Sequence, residues 1–306
     1  MAKYFFSILL FCLSMGVYAQ GNAPFIILLG TAQDGGYPHM GCEKTCCSPA
    51  WKNTTNRRFV VSMALVDPSS KKWWLFEATP DIREQLHYFN SLTKGAYNYL
   101  PEGIFITHAH IGHYTGLMEL GREVMNTKNI PVYVLPRMKK YLETDGPWSQ
   151  LVRLGNIQLM PLTADSTIAL PDNINITAFT VPHRDEYSET AGFRIATSVK
   201  KYLFIPDVNK WEQWNRSIVK EVEQVDIALL DATFYDNGEL PTRNIKEILH
   251  PLVTETMATF EKTGSQTKSK IHFIHLNHTN PMMWNKAKQA EIKKLGYNIA
   301  VQGEKL

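Results

Sequence analysis

Three histidines, His108, His110 and His113, close the stretch Ile104-Phe-Ile-Thr-His-Ala-His-Ile-Gly-His113. Imidazole is the commonest neutral ligand for zinc or iron, because it offers a lone pair without adding charge. The apolar run before them reads as a buried strand ending at Thr107. His108 and His110 are one residue apart, so an extended backbone carries both on the same side. One histidine after a strand would mean little. Three here, with further histidines in matching places downstream, imply a metal centre.

A second group of soft donors lies near the start of the chain: His39, Cys42, Cys46 and Cys47. Adjacent cysteines rarely pair with each other, and with Cys12 in a removable leader the remaining count is odd. One disulfide with a free thiol is the plain reading. A structural zinc held by His39, Cys42, Cys46 and Cys47 is the sharper one and is placed first, because four N/S donors share one short segment.

Those donors must be aimed by rigid elements. Strands are expected at 25–29, 60–66, 73–77, 104–106, 131–135, 174–181, 192–197, 202–205, 227–230 and 271–274. Helices are expected from Pro80, where Ile82, Leu86 and Phe89 share a face, over 114–125, after the 131–135 strand, over 209–222, and as a closing helix over 281–295. The polar stretch 262–270 reads as a loop. Strand pairs mixed with amphipathic helices suggest two packed sheets with helices outside.

The chain has 306 residues, 44% hydrophobic and 20% charged, with a formal net charge of +3. That is enough to bury one large core. No clustered basic face is visible, so nucleic acid is not an expected partner. Lys3, the apolar run 4–13 and Val17-Tyr-Ala19 read as a cleavable signal peptide over 1–19, followed by a single domain over 20–306. The apolar run is too short to span a bilayer comfortably, so no stable membrane anchor is expected. The expected location is periplasmic or secreted.

His108-Ala-His-Ile-Gly-His113 resembles the His-x-His-x-Asp-His signature of the metallo-β-lactamase superfamily, with Gly112 in place of its aspartate. Val181-Pro-His183, Phe204-Ile-Pro-Asp207 and Ile274-His275 match the later ligand positions in order. The resemblance implies a four-layer αββα fold of the α/β class, two mixed sheets flanked by helices. It implies one metal held by His108, His110 and His183, and a second held by His113, Asp207 and His275. Gly112 offers no carboxylate to the second; Asp81 and Asp34, in loops expected at the same rim, are candidates to fill that gap. His278 is expected beside the ligands, touching one of them or the substrate.

Two narrower likenesses follow. Leu29-Gly-Thr-Ala, Gly35-Gly36, the cysteine cluster, Ala78-Thr-Pro-Asp-Ile-Arg83 and Ile274-His-Leu-Asn-His-Thr-Asn-Pro281 resemble the pyrroloquinoline quinone biosynthesis protein B group. That group carries a structural metal on its cysteine cluster, which favours the zinc reading. Leu230-Asp-Ala-Thr-Phe-Tyr235 with His250 is similar to the carboxylate–histidine pair of tRNase Z and the cyclic phosphodiesterases, in which Asp231 would orient His250 as general acid. The equal alternative is a strand-end aspartate and a surface histidine.

The resulting expectation is an exported metal-dependent hydrolase. A bound cation lowers the pKa of water from about 16 toward 7, and the hydroxide attacks a phosphodiester or other ester of a small-molecule substrate. The few carboxylates suit zinc, one or two in the active site, with iron or manganese as alternatives. A metal-dependent oxidoreductase like the quinone-biosynthesis relatives, or a metal-binding protein without catalysis, are the other readings. Oligomeric state is not legible.

Overall fold

The computed structural model describes residues 23–240, 247 and 249–306. The leader reading of 1–19 lies outside the described residues.

The first half forms a six-stranded sheet: β1 (Phe25–Gly30), β2 (Ser62–Asp67), β3 (Lys72–Phe76), β4 (Ile104–Phe105), β5 (Ile130–Val134) and β6 (Ile157–Pro161), in that spatial order. The second half forms a seven-stranded sheet, β7 (Thr167–Leu170), β8 (Ile174–Val181), β9 (Thr190–Ala196), β10 (Lys201–Ile205), β11 (Ile227–Asp231), β12 (Ile271–Ile274) and β13 (Asn298–Ile299), also in sequence order. Each sheet is antiparallel at one side and parallel at the other.

Alternation along the strands explains the layering, because both faces of each sheet are buried. On β1, Ile26 and Leu28 face the other sheet, while Ile27 and Leu29 face outward. On β10, Tyr202 and Phe204 face inward, while Leu203 and Ile205 face outward. Phe76, Phe105, Phe193 and Phe204 meet between the sheets, Phe76 stacking on Phe105 at 4.7 Å.

The outer face of the first sheet is covered by α2 (Ile82–Leu92), α4 (Pro136–Thr144) and α5 (Trp148–Arg153). The outer face of the second is covered by α6 (Ile218–Glu223), α7 (Val253–Thr259), α9 (Pro281–Trp284) and α10 (Lys286–Lys294). Short helices α1 (Ser48–Lys52), α3 (Ile111–Tyr114) and α8 (Ser265–Lys268) complete the set. The architecture is the four-layer αββα arrangement of two mixed sheets flanked by helices.

Three helices depart from the sequence-based expectation. The one expected over 114–125 is α3 followed by a 3-10 turn over Thr115–Leu120, since Gly116 and Gly121 are weak helix formers and Gly116 N–H donates to Ala78 O instead. The one expected over 209–222 is a 3-10 turn over Trp211–Gln213 and then α6, which Ser217 restarts by accepting from Lys220 N–H. The closing helix is split where the Asn285 side chain caps Ala287 and Lys288. The expected loop 262–270 contains α8.

Strand direction decides where the chemistry gathers. β1, β3 and β4 run one way within their sheet, as do β8, β10, β11 and β12 within theirs. Every candidate ligand follows the C-terminal end of one of these strands, the edge where parallel sheets build their sites.

Candidate metal centre

His108 lies three residues beyond β4 and is almost fully buried. His110 forms the N-cap of α3, and His113 sits inside that helix, fully buried. His183 and Asp207 each follow their strand by two residues, and His275 follows β12 directly, with φ +63° turning its side chain off the strand line.

These groups converge on Asp207. Its Oδ2 lies 3.4 Å from His108 Nε2, 3.2 Å from His183 Nε2, 3.7 Å from His113 Nε2 and 3.9 Å from His110 Nδ1. His183 Nε2 and His110 Nδ1 are 3.1 Å apart. Burial would raise the Asp207 carboxyl, but the surrounding imidazoles, His183 and His250 foremost, hold it well below the usual carboxylate range.

Neighbouring polar groups fix which nitrogen His108, His110, His183 and His275 present. Thr107 Oγ1 occupies His108 Nδ1 at 2.9 Å, and Asn209 Oδ1 accepts from His183 Nδ1 at 3.1 Å. Thr233 Oγ1 donates to Asp231 at 2.7 Å and stands 2.8 Å from His275 Nδ1. Glu186 Oε2 is 3.0 Å from His110 Nε2, and Glu77 Oε2 is 3.6 Å from His113 Nδ1. Sequence reading missed Glu77, Asn209, Thr233 and Glu186. Glu77 carried a signal, a carboxylate ending the apolar run Trp73-Trp-Leu-Phe76.

The inward atoms fit a divalent cation. Among the described residues His108 Nε2, His113 Nε2, His275 Nε2 and Asp34 Oδ1 are buried without a hydrogen-bond partner. Such atoms are costly unless something pairs with them. Donor atoms of His108, His110, His183 and Asp207 all lie within 4.8 Å of one another, as do those of Asp34, His113 and His275.

Of the two candidates for the place that Gly112 leaves, Asp34 is at the centre and Asp81 is not. Asp34 Oδ1 is 3.3 Å from His113 Nε2, whereas Asp81 Oδ2 accepts from Val60 N–H at 2.8 Å, away from the imidazoles.

Asp231 ends β11, fully buried, and its Oδ2 is 2.9 Å from His250 Nδ1. Burial alone would lower the His250 pKa; the Asp231 and Asp207 charges outweigh it and push it up to about 9. His250 also lines a cleft of about 470 Å³ with Lys44, Arg184, Phe234, Asn277 and Thr279.

The cysteine cluster forms a second donor set, with one correction. Cys42, Cys46 and Cys47 are free and buried, with Cys42 and Cys46 sulfurs 3.7 Å apart, so no disulfide joins them. The fourth donor is His278, whose Nδ1 stands 3.3 Å from Cys47 Sγ and 3.8 Å from Cys46 Sγ. His39 does not hold that place: its ring stacks on His278 at 4.5 Å and its Nδ1 is bonded to Met40 O. His278 accordingly belongs with the sulfurs rather than beside His275. Burial pushes the Cys47 thiol up to about 12, so only a cation would make clustered thiolates compatible there.

Comparison with known proteins agrees with this geometry. The chain is 24% identical to coenzyme PQQ synthesis protein B of Gluconobacter oxydans, over 91% of this chain and 96% of that one. The Zn(2+)-bound PqqB structure from Methylobacterium extorquens superposes with a TM-score of 0.75 at 20% identity, covering 92% of this chain and 99% of that one. A diphosphatase of the PhnP family superposes at 0.64 and 20% identity, covering 92% and 96%. The donor clusters of this chain, beside a zinc-bound structural neighbour, support a metal cofactor. The comparisons also correct the localisation: the likeness to coenzyme PQQ synthesis protein B along nearly its whole length overturns the periplasmic or secreted placement. The family model described as the Beta-lactamase superfamily domain matches residues 72–273, about two thirds of the chain, including β4, β8 and β10, whose loops carry His108, His110, His113, His183 and Asp207. The chain belongs to the β-lactamase superfamily.

Proposed function

We propose that the protein is a metal-dependent hydrolase of a small anionic ester, a phosphodiester first among the candidates. The observation that carries this reading is the single Asp207 carboxylate oxygen with four imidazole nitrogens 3.2–3.9 Å away. In this reading His108, His110 and His183 would hold one divalent cation, zinc by the nitrogen-rich donor set, and His113, Asp207 and His275 would hold a second. The bound cations supply Lewis acidity and a nucleophilic water at neutral pH.

The chain's own groups do the rest. His250 donates Nδ1–H to Asp231, so Nε2 is the atom that hands a proton to the leaving oxygen. Arg184 and Lys44 on the cleft wall attract an anionic substrate, and the cleft volume suits a small molecule. The superfamily includes hydrolases such as phosphodiesterases.

The test is hydrolysis of bis-p-nitrophenyl phosphate by zinc-loaded protein, with metal content measured alongside. His183→Ala is expected to lose cation from the centre and to lower the rate at least about 100-fold. Loaded wild type that turns over neither phosphodiesters nor other esters would overturn the reading. The full-length likeness to coenzyme PQQ synthesis protein B favours a second reading, a metal-dependent oxidoreductase; iron content with oxygen uptake would select it.

A further inference from the structure

Position 112 is a glycine for a reason of space. A Cβ built there would lie 2.1 Å from Asp34 Oδ1 and 2.7 Å from Asp34 Cα. The backbone at 112 is not left-handed, so no conformational need calls for glycine. What excludes a side chain is the Asp34 carboxylate, which already fills that volume.

Asp34 is held there by the backbone on both sides of the centre. Ala32 bridges Val60 and Leu276. Leu276 N–H donates to Thr31 O and Gln33 N–H donates to Leu276 O, each at 2.9 Å. The loop after β1 is therefore laced to the residue that follows His275. Gln33 Nε2 donates to Asp34 Oδ2 at 2.8 Å, which leaves Oδ1 facing His113 Nε2 at 3.3 Å and His275 Nε2 at 3.9 Å. That oxygen is buried and has no hydrogen-bond partner among the described residues.

We infer that Asp34 is the carboxylate ligand of the second cation, delivered from the loop after β1 into the space that a side chain at position 112 would otherwise occupy. This rests on the two-cation reading above. Positions 34 and 112 then form a reciprocal pair: a carboxylate at one requires glycine at the other.

The pair can be exchanged. Zinc content by mass spectrometry and cobalt titration followed by absorption separate the imidazole centre from the thiolate site, whose cobalt form has its own sulfur charge-transfer band. Asp34→Asn, which keeps the shape and removes the charge, is expected to weaken the second equivalent by more than about 100-fold, beyond the usual cost of losing a supporting partner. The first equivalent and the thermal midpoint should stay close to wild type. Gly112→Asp alone should lose the second equivalent by displacing the loop. Asp34→Gly combined with Gly112→Asp should recover it, a coupling that independent sites would not show. Wild type with two cations at the centre and an Asp34→Asn variant that binds both unchanged would overturn the assignment of Asp34 alone. Wild type that binds only one cation there would overturn the two-cation reading beneath it.

Discussion

At the scale of the residue, the centre is governed by which nitrogen each imidazole turns inward. Thr107, Asn209 and Thr233 occupy the outward nitrogens of His108, His183 and His275, so the inward lone pairs are fixed without any movement. Thr233 Oγ1 touches three groups at once, standing 2.8 Å from His275 Nδ1 and 3.2 Å from His250 Nδ1 while donating to Asp231. Thr233→Val preserves shape and removes all three contacts. It is expected to weaken metal binding by about 10–100-fold, read by competition with a chromophoric chelator. His250→Gln isolates the proton-donor role: kcat should fall by about 10²–10⁴-fold with metal content unchanged. Metal lost together with activity would show that His250 supports the centre rather than the chemistry.

At the scale of the element, the segment between β1 and α1 is pinned twice. Its near end is laced to Val60 and Leu276, and its far end meets His278 through Cys46 and Cys47. His278 lies three residues past His275, so the sulfur cluster clips together two segments that border the cation centre. Cys47→Ala should remove one zinc equivalent and lower the thermal midpoint, by about 2–4 °C for each kcal/mol that the clip contributes. His39→Ala should leave that equivalent in place, because its ring only stacks on His278. Zinc analysis beside a thermal melt reads both, and loss of the equivalent from His39→Ala would restore His39 as the fourth donor.

At the scale of the whole molecule, stability rests on the aromatic layer between the sheets, and part of its pH dependence on one half-buried carboxyl. Phe105 stacks on Phe76 and Tyr133 and meets Phe193 edge-on. Phe105→Ala should cost about 3–5 kcal/mol in denaturant unfolding. Burial pushes the Glu239 carboxyl up to about 7, although Thr279 Oγ1 and Tyr235 N–H donate to it. The folded chain thus binds this proton more tightly than the unfolded chain, where the group titrates near 4.5. The contribution is full below about pH 4.5 and is lost as pH rises through about 7. The thermal midpoint should therefore fall between pH 5 and 8, on the order of 1–3 kcal/mol of stability. In Glu239→Gln that slope should flatten; an unchanged slope would exclude Glu239 as its source.

By itself the sequence determined ten of the thirteen strands, the packing of two sheets with helices outside, and the order in which imidazoles and carboxylate leave them; the edge-lying β6, β7 and β13 were not legible. Period-two burial and a histidine run after an apolar segment are local patterns, readable over a few residues. The helix errors at 114–125 and 209–222 came from local breakers, Gly116, Gly121 and the Ser217 cap, acting together with contacts that no local pattern reports, such as Gly116 N–H to Ala78 O and the Trp211 Nε1–H bond to Thr256. Only the tertiary structure decided that Asp34 rather than Asp81 stands at Gly112, and that His278 rather than His39 completes the sulfur cluster. Asp34 and Gly112 are 78 residues apart, and Cys47 and His278 are 231 apart. Such partners meet because parallel strands end at a common edge, and strand order across two sheets is not encoded in the spacing around any one of them.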